Sequence, residues 1–431
     1  MPRIAQRAGL AAIVPAATPM SDTRWLVWMC MSRMSFGFIF MAYTGAVPVL
    51  MRDWHMGAGE AGLINTGWHL GYLVSLFAVG FLSDRFGAKR TFLAASIAAV
   101  TSALAFAAFA QGFRSGLWLY ALTGLCSGGS YTPGLTLISQ RFEARRRGGA
   151  MGWYLAASSL GYALSLVFGS ALIAAAGWRM SFFAAALGPV AGALIASRVL
   201  RHSRNVVVPR AAKRDTLGAL LEVVRNRPAM LAIWSYAFHC WELLGLWAWL
   251  PAYLAAVALA DFGAPNAVSV GALLAGLSFA TNTIGSVAAG RLSDARGRTT
   301  VMLMMTLTSL FCSMAFGWMF AFPLWMVTAV AIVYNLTAVS DSSVYSTALT
   351  EYVPERLLGA AYSLRAAIGF GLGAISPAVF GYVLDCVSRV TGHRGTLAWG
   401  AAWLTLAVGA LPGVLAITRL RRIAGVGTSP R

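Results

Sequence analysis

Charge is scarce in this sequence. Only 11% of its 431 residues are Asp, Glu, Lys or Arg, where a soluble chain carries about a quarter. A soluble globular fold is excluded. Acidic residues are scarcer still, 14 against 33 basic ones. Cysteine is sparse and scattered (Cys30, Cys126, Cys240, Cys312, Cys386). With no C-x-x-C and no zinc-ligand spacing, neither a disulfide framework nor a metal site is expected. There is no P-loop, nucleophile elbow, H-E-x-x-H or dinucleotide fingerprint. ATP-driven work within this chain and enzymatic chemistry are therefore not expected, and no cofactor is called for. Segments of about ten alternating residues, the mark of a membrane β-barrel, are also missing.

What is present is apolar: 58% of residues are hydrophobic, in runs of 18 or more, long enough to cross a hydrocarbon layer of about 30 Å as helices. Spans are expected at 25–50, 61–82, 92–111, 116–139, 149–176, 179–199, 229–258, 266–290, 300–320, 323–350, 357–385 and 397–418. The fold class is an all-α membrane protein with twelve transmembrane helices. The domains expected are an N-terminal tail (1–24), a first bundle (25–199), a basic linker (200–228), a second bundle (229–418) and a C-terminal tail (419–431). The Ala-rich run near the start is broken by Pro15 and Pro19 and lacks a cleavage site, so it reads as a tail and not as a signal peptide.

The net charge of +19 lies in short loops between spans and not on one folded face, which argues against nucleic acid as a partner. On one side the connections and tails hold 26 Lys and Arg; on the other they hold only Arg52, Arg114, Arg179, Arg389 and Arg394. By the positive-inside rule both termini are expected in the cytoplasm. Within the linker, Asp215 to Asn226 reads as a short amphipathic helix along the inner surface with Asp215 as N-cap, or simply as an ordered connector.

One stretch organises the chain. Gly80-Phe81-Leu82-Ser83-Asp84-Arg85-Phe86-Gly87-Ala88-Lys89-Arg90 returns, altered, as Gly290-Arg291-Leu292-Ser293-Asp294-Ala295-Arg296-Gly297-Arg298, 210 residues later. The same offset carries Gly149-Ala150 onto Gly359-Ala360 and Gly161 onto Gly371. Two equivalent six-helix halves with a substrate site between them near the midplane are a transporter plan.

With twelve spans, this repeat and a G-x-L-x-D-R-x-G-x-K turn after the second span, the whole chain resembles the major facilitator superfamily. Gly177-Trp178-Arg179 is a further likeness. The resemblance implies a secondary transporter working by alternating access, with the turn as a conformational latch (Gly80, Asp84, Arg85, Gly87, Lys89, Arg90, and Gly290, Asp294, Gly297, Arg298). Asp84 is then expected at the start of the eleventh span and Asp294 at the start of the fifth, in keeping with the attraction of helix N-termini for carboxylates. Ala295 in place of Arg85, and Ala88 opposite Arg298, make the latches unequal. Tyr120 stands where drug–proton antiporters of the superfamily carry an Arg, and the fifth span has no proline. Nitrate porters of the superfamily use Arg in the second and eighth spans, where the notable polar residues of this chain are His69 and Asn282. These departures weaken drug efflux and nitrate transport.

Ionisable residues inside spans tend to mark pathways. Glu242 falls near the middle of the seventh span with His239 three residues earlier; together they are expected to load and release a proton, or to make a structural hydrogen bond. Arg33 in the first span either pairs with Glu242, holds an anionic substrate, or snorkels to the headgroups. Tyr131, Trp249, Asn282, Asn335, Asp341 and Arg365 complete the expected cavity, with Arg365 and Asp341 open to a gating role. The seventh span's Trp234, Trp241, Trp247 and Trp249 suit anchoring, packing or stacking on an organic substrate. The expected function is transport of a small organic anion or metabolite across the cell inner membrane, possible partners being that solute, protons and the lipid bilayer, with the protein a monomer. The alternatives are efflux of amphipathic compounds by proton antiport and a non-transporting sensor or scaffold on the same fold.

Overall fold

Apolar runs that place no charge inside for some twenty residues must satisfy every backbone group within the segment, and a helix does that. The computed structural model describes residues 20–207, 216–263 and 266–427, which are helical almost throughout, with no strand among them. Most of both expected tails' outer ends and Asp215 lie outside the described residues.

The first half runs through α1 (Asp22–Phe36), α2 (Phe38–Asp53), α3 (Ala58–Phe86), α4 (Ala88–Phe109), α5 (Phe113–Ser127), α6 (Thr132–Arg141) and α7 (Ala144–Val199). A linker helix, α8 (Thr216–Arg225), follows. The second half comprises α9 (Arg227–Phe262), α10 (Ala267–Ala280), α11 (Asn282–Arg296), α12 (Arg298–Phe316), α13 (Leu324–Tyr352), α14 (Leu358–Gly373), α15 (Ser376–Thr391) and α16 (Thr396–Gly427).

Several crossings are thus two helices in series. α1 and α2 form one, jointed at Gly37; α5 and α6 form another around the 3-10 turn Gly128–Ser130; α10 with α11, and α14 with α15, do the same. α7 is two crossings in one, bent at Gly177, whose φ of 78° suits only glycine. Ten helices among the described residues are long and apolar enough to span, Arg146–Val199 counting once. Its bend and the broken α5–α6 crossing make the arrangement consistent with twelve.

The twin turns match in conformation. Gly87 has φ 88° and ψ 147°, and Gly297 φ 87° and ψ 146°. The first turn is tied to the start of the linker: Lys89 donates to the carbonyls of Arg201 (3.2 Å) and Ser203 (2.8 Å), while Asn205 donates to that of Phe86 (2.7 Å). The second is closed by Arg298, which reaches Asp294 at 2.5 Å and Glu351 at 3.0 Å. α8 is docked on the second half, where Glu222 pairs with Arg356 and Asn226 donates to the Tyr352 carbonyl at 2.8 Å.

The halves meet at the end opposite these turns, chiefly where α3 packs on α15 and α7 on α10. Small residues let the backbones touch there. A Cβ on Gly62 would stand 2.2 Å from the Pro377 carbonyl, and one on Gly381 2.1 Å from that of Ala58. Thr66 donates across the seam to Ala374 O at 2.6 Å. At the end carrying the turns the halves diverge and leave a cavity between them.

Candidate functional site

The cavity has a volume of about 570 Å³ and takes its walls from both halves. Its mouth is bordered by Gly149 and Gly152 of α7 and by Ser346 of α13, near helix ends on the side of the twin turns, with Arg365 about two turns into α14. Aromatic rings form the floor: Phe40 lies 4.4 Å from Trp68 and 4.5 Å from Tyr162, and Trp247 of the other half closes within 5.9 Å. Tyr72 stacks on Trp68 at 5.0 Å and meets Phe370 across the seam at 6.1 Å.

Arg33 is the polar centre of the first half's wall. Only 6% exposed, it donates from Nη1 to Ser130 Oγ at 2.6 Å and from Nε to Ser158 Oγ at 2.7 Å. Its guanidinium lies 5.4 Å from the Tyr131 ring centre, within cation–π range. The break between α5 and α6 builds this seat. It brings Ser130 toward Arg33, while the Tyr154 hydroxyl takes the Ser130 carbonyl at 2.5 Å.

Arg365 answers from the second half. Its Nη1 donates to Ser346 Oγ at 2.7 Å, and its guanidinium lies 4.3 Å from the Tyr236 ring and 5.0 Å from that of Tyr362. Its Nε is buried without a hydrogen-bond partner. Neither arginine has a carboxylate partner, and no Asp or Glu lines the cavity among the described residues. A cavity with two uncompensated guanidiniums favours anions.

Glu242 does not meet Arg33. α9 lines the cavity with Tyr236, Leu243, Leu244 and Trp247, and Glu242 is turned about 100° from Leu243. It points instead at α12, accepting from Ser309 at 3.0 Å and Ser313 at 2.5 Å, with Tyr334 on the far side of Ser313. His239 sits between Asp341, 3.1 Å from Nδ1, and Ser342, 2.8 Å from Nε2. Ser342 lines the cavity; Asp341 and His239 lie behind it.

Three other residues expected in the cavity also lie off its wall. Trp249 is on the opposite side of α9, stacked on Phe380 at 5.1 Å and donating to the Pro377 carbonyl at 2.9 Å. Asn335 shares the Ser342 face of α13 two turns deeper, where Trp247 covers it and donates to its Oδ1 at 3.3 Å. Asn282 is one turn deeper than Ser286, 97% buried with its Oδ1 unpartnered.

At the turns, Asp84 is exposed and has no hydrogen bond or ion pair among the described residues, and Asp294 is taken by Arg298 of its own turn. The contacts expected with α14 and α7 are not made here, because the halves stand apart at this end.

Sequence reasoning passed over Tyr72, Tyr162, Tyr236, Phe370 and, apart from Ser342 on the polar side of the tenth span, a run of serines. The serines did carry a signal. Ser342, Ser343 and Ser346 share a helical face with Val339 on α13, and Ser158 and Ser159 mark one on α7.

Comparison with known proteins agrees with the fold. A probable 4-methylmuconolactone transporter of Cupriavidus pinatubonensis is 28% identical over 241 residues, 53% of this chain and 54% of that protein, so the match spans about half the relative's length. A hexuronate transporter of Bacillus subtilis is 22% identical over 364 residues, 80% of this chain and 84% of that protein. Among solved structures, a mutant of the nucleoside transporter NupG superposes with a TM-score of 0.72 at 13% identity, covering 92% of this chain and 98% of that one. Residues 29–377 match the family described as Major Facilitator Superfamily. The chain is a multi-pass membrane protein of the Major Facilitator Superfamily.

Proposed function

We propose that this transporter carries a small organic anion through the cavity by alternating access, coupled to proton movement. The observation that carries this reading is the cavity wall itself: Arg33 and Arg365, with no lining carboxylate among the described residues. Arginines left unneutralised within the membrane, Arg33 buried and Arg365 partly so, are costly unless an anion completes them. The aromatic floor suits an organic body over a small inorganic ion. Relatives named for a lactone acid and for hexuronates are in keeping with this class.

The side of the twin turns carries the basic loops, so by the positive-inside rule the mouth faces the cytoplasm of a bacterial-type inner membrane. The protein works as a monomer with both termini on that side. His239, reached from the cavity through Ser342 and flanked by Asp341 and, one turn on, Glu242, is the proton-exchanging group. In the opposite state the halves close over this mouth, and Asp84 and Asp294 cap the starts of α14 and α7 as latches.

The test is counterflow and uptake of labelled glucuronate and 4-methylmuconolactone in proteoliposomes, with and without an imposed pH gradient. Saturable flux of either acid, competed by other organic anions and not by neutral or cationic analogues, is expected. Flux of cationic or neutral compounds alone would overturn the reading.

A further inference from the structure

We propose that the ligand of this cavity carries two anionic groups, one met by Arg33 and the other by Arg365. This rests on the organic-anion reading and goes further, to the number and placement of the charges.

The two guanidiniums belong to different halves, and each is prepared separately. Arg33 is clamped by Ser130 and Ser158 with Tyr131 beside it; Arg365 is held by Ser346 between Tyr236 and Tyr362. Each keeps donors in hand. A guanidinium has five N–H groups, and among the described residues Ser130 and Ser158 accept from Arg33 and Ser346 from Arg365, which leaves donors on each. The unpartnered Arg365 Nε is the sharper sign, since a buried donor without an acceptor is destabilising until one arrives.

Each seat lies well inside its own helix: Arg33 is about 16 Å along α1 from Asp22, and Arg365 about 10 Å along α14 from Leu358, at 1.5 Å per residue. A single carboxylate at the Arg33 seat leaves the second cation uncompensated when the halves close and water is expelled. A ligand with an anion at each end neutralises both walls and links them across the seam, which favours closure. Its body would lie against Tyr72 and Phe370, which bridge the halves between the two seats.

The test compares matched acids on the purified full chain: butyrate with succinate, hexanoate with adipate, and benzoate with terephthalate, by ligand-dependent thermal shift and by competition of glucuronate counterflow. In at least one pair the diacid should bind roughly tenfold more tightly than its monoacid, the size expected for one added charge-assisted contact. Arg365→Gln should collapse that ratio toward one, and Arg365→Lys should restore part of it, which a merely misfolded variant would not do. Equal binding within every pair, or a diacid preference that survives Arg365→Gln, overturns the proposal. If monoacids and diacids bind alike and both are lost in Arg33→Gln, the two-anion inference fails while the organic-anion reading stands. If no acid binds and glucuronate shows no counterflow, both fail.

Discussion

Asp385, near the end of α15, accepts the backbone N–H of Gly59 in the first turn of α3 at 2.8 Å, joining the two halves at the end opposite the cavity mouth. Its other oxygen takes Arg394 Nη2 at 3.0 Å. The first N–H groups of a helix have no partner within it and carry the positive end of the dipole. A carboxylate from the other half satisfies one of them here. A side chain on Gly57 would collide with Asp385 Oδ2 at 2.6 Å, so the glycine keeps the seat open. The geometry is the counterpart, at the opposite end, of the latch expected for Asp84.

This contact must break when the closed end opens. Asp385→Ala should therefore shift the population toward the state open at that end, by about 1–2 kcal/mol for a partly exposed charge-assisted bond. In a chain whose five native cysteines are replaced by serine or alanine, a cysteine placed at Thr66, in the seam, should react faster with a membrane-impermeant thiol reagent in the Asp385→Ala background than without that change. Unchanged reactivity would mean that Gly62, Gly381 and their packing hold the seam without the carboxylate.

Arg33 makes its hydrogen bonds to hydroxyls and lies 6% exposed, which is not the posture of a side chain reaching for headgroups. Arg33→Lys keeps the charge and loses the fork; Arg33→Ala loses both. Affinity for an anionic substrate should fall in the order wild type, Lys, Ala, with at least about tenfold between the ends. Ser158→Ala, which removes one positioning hydroxyl, should cost only about 0.5–1.5 kcal/mol. Equal affinities for all of these would leave Arg33 with a structural part alone.

The proton-exchange reading concerns two residues in two environments. His239 touches the cavity-lining Ser342, whereas Glu242 is sealed among Ser309, Ser313 and Tyr334. His239→Gln should abolish acceleration of uptake by a pH gradient while preserving counterflow, which needs no net proton movement. Glu242→Gln can still accept from one serine through its amide oxygen, so the fold should survive and its gradient response becomes diagnostic. If uptake in both variants answers the gradient as wild type does, the coupling assignment is lost.

How far the sequence led depends on the kind of signal. Apolar length gave the crossings, and the repeated Gly87 and Gly297 turns gave the two halves, because a positive φ restricts residue choice locally. Depth along a helix was legible too: Arg33 and Arg365, singled out as ionisable residues within spans, both border the cavity. The direction a side chain faces was not. Glu242 and Leu243 are neighbours in sequence and face different helices. Trp249 was grouped with Trp247, although two residues on a helix are about 200° apart. The opening at one end was also hidden, since it depends on which state the halves adopt.

The repeat that aligns Gly161 with Gly371 conceals a difference in packing. A Cβ on Gly161 would stand 2.2 Å from the Met34 carbonyl, and Gly37 in turn lies against the Gly161 backbone, so α1 and α7 touch main chain to main chain. A Cβ on Gly371 would meet only Leu73 Cδ2, at 3.8 Å. Gly161→Ala should therefore push α1 off α7, with an overpacking cost of roughly 1–3 kcal/mol, and displace Arg33 and Ser158 on the same pair of helices. Loss of thermal stability and of anion affinity together is expected. Gly371→Ala should change stability little, because the added methyl meets only an ordinary contact. The measurement is a melting curve of each purified variant with and without bound acid. Equal destabilisation by the two substitutions would show that the glycines are equivalent in packing after all, and that the α1–α7 contact is looser than its backbone distances imply.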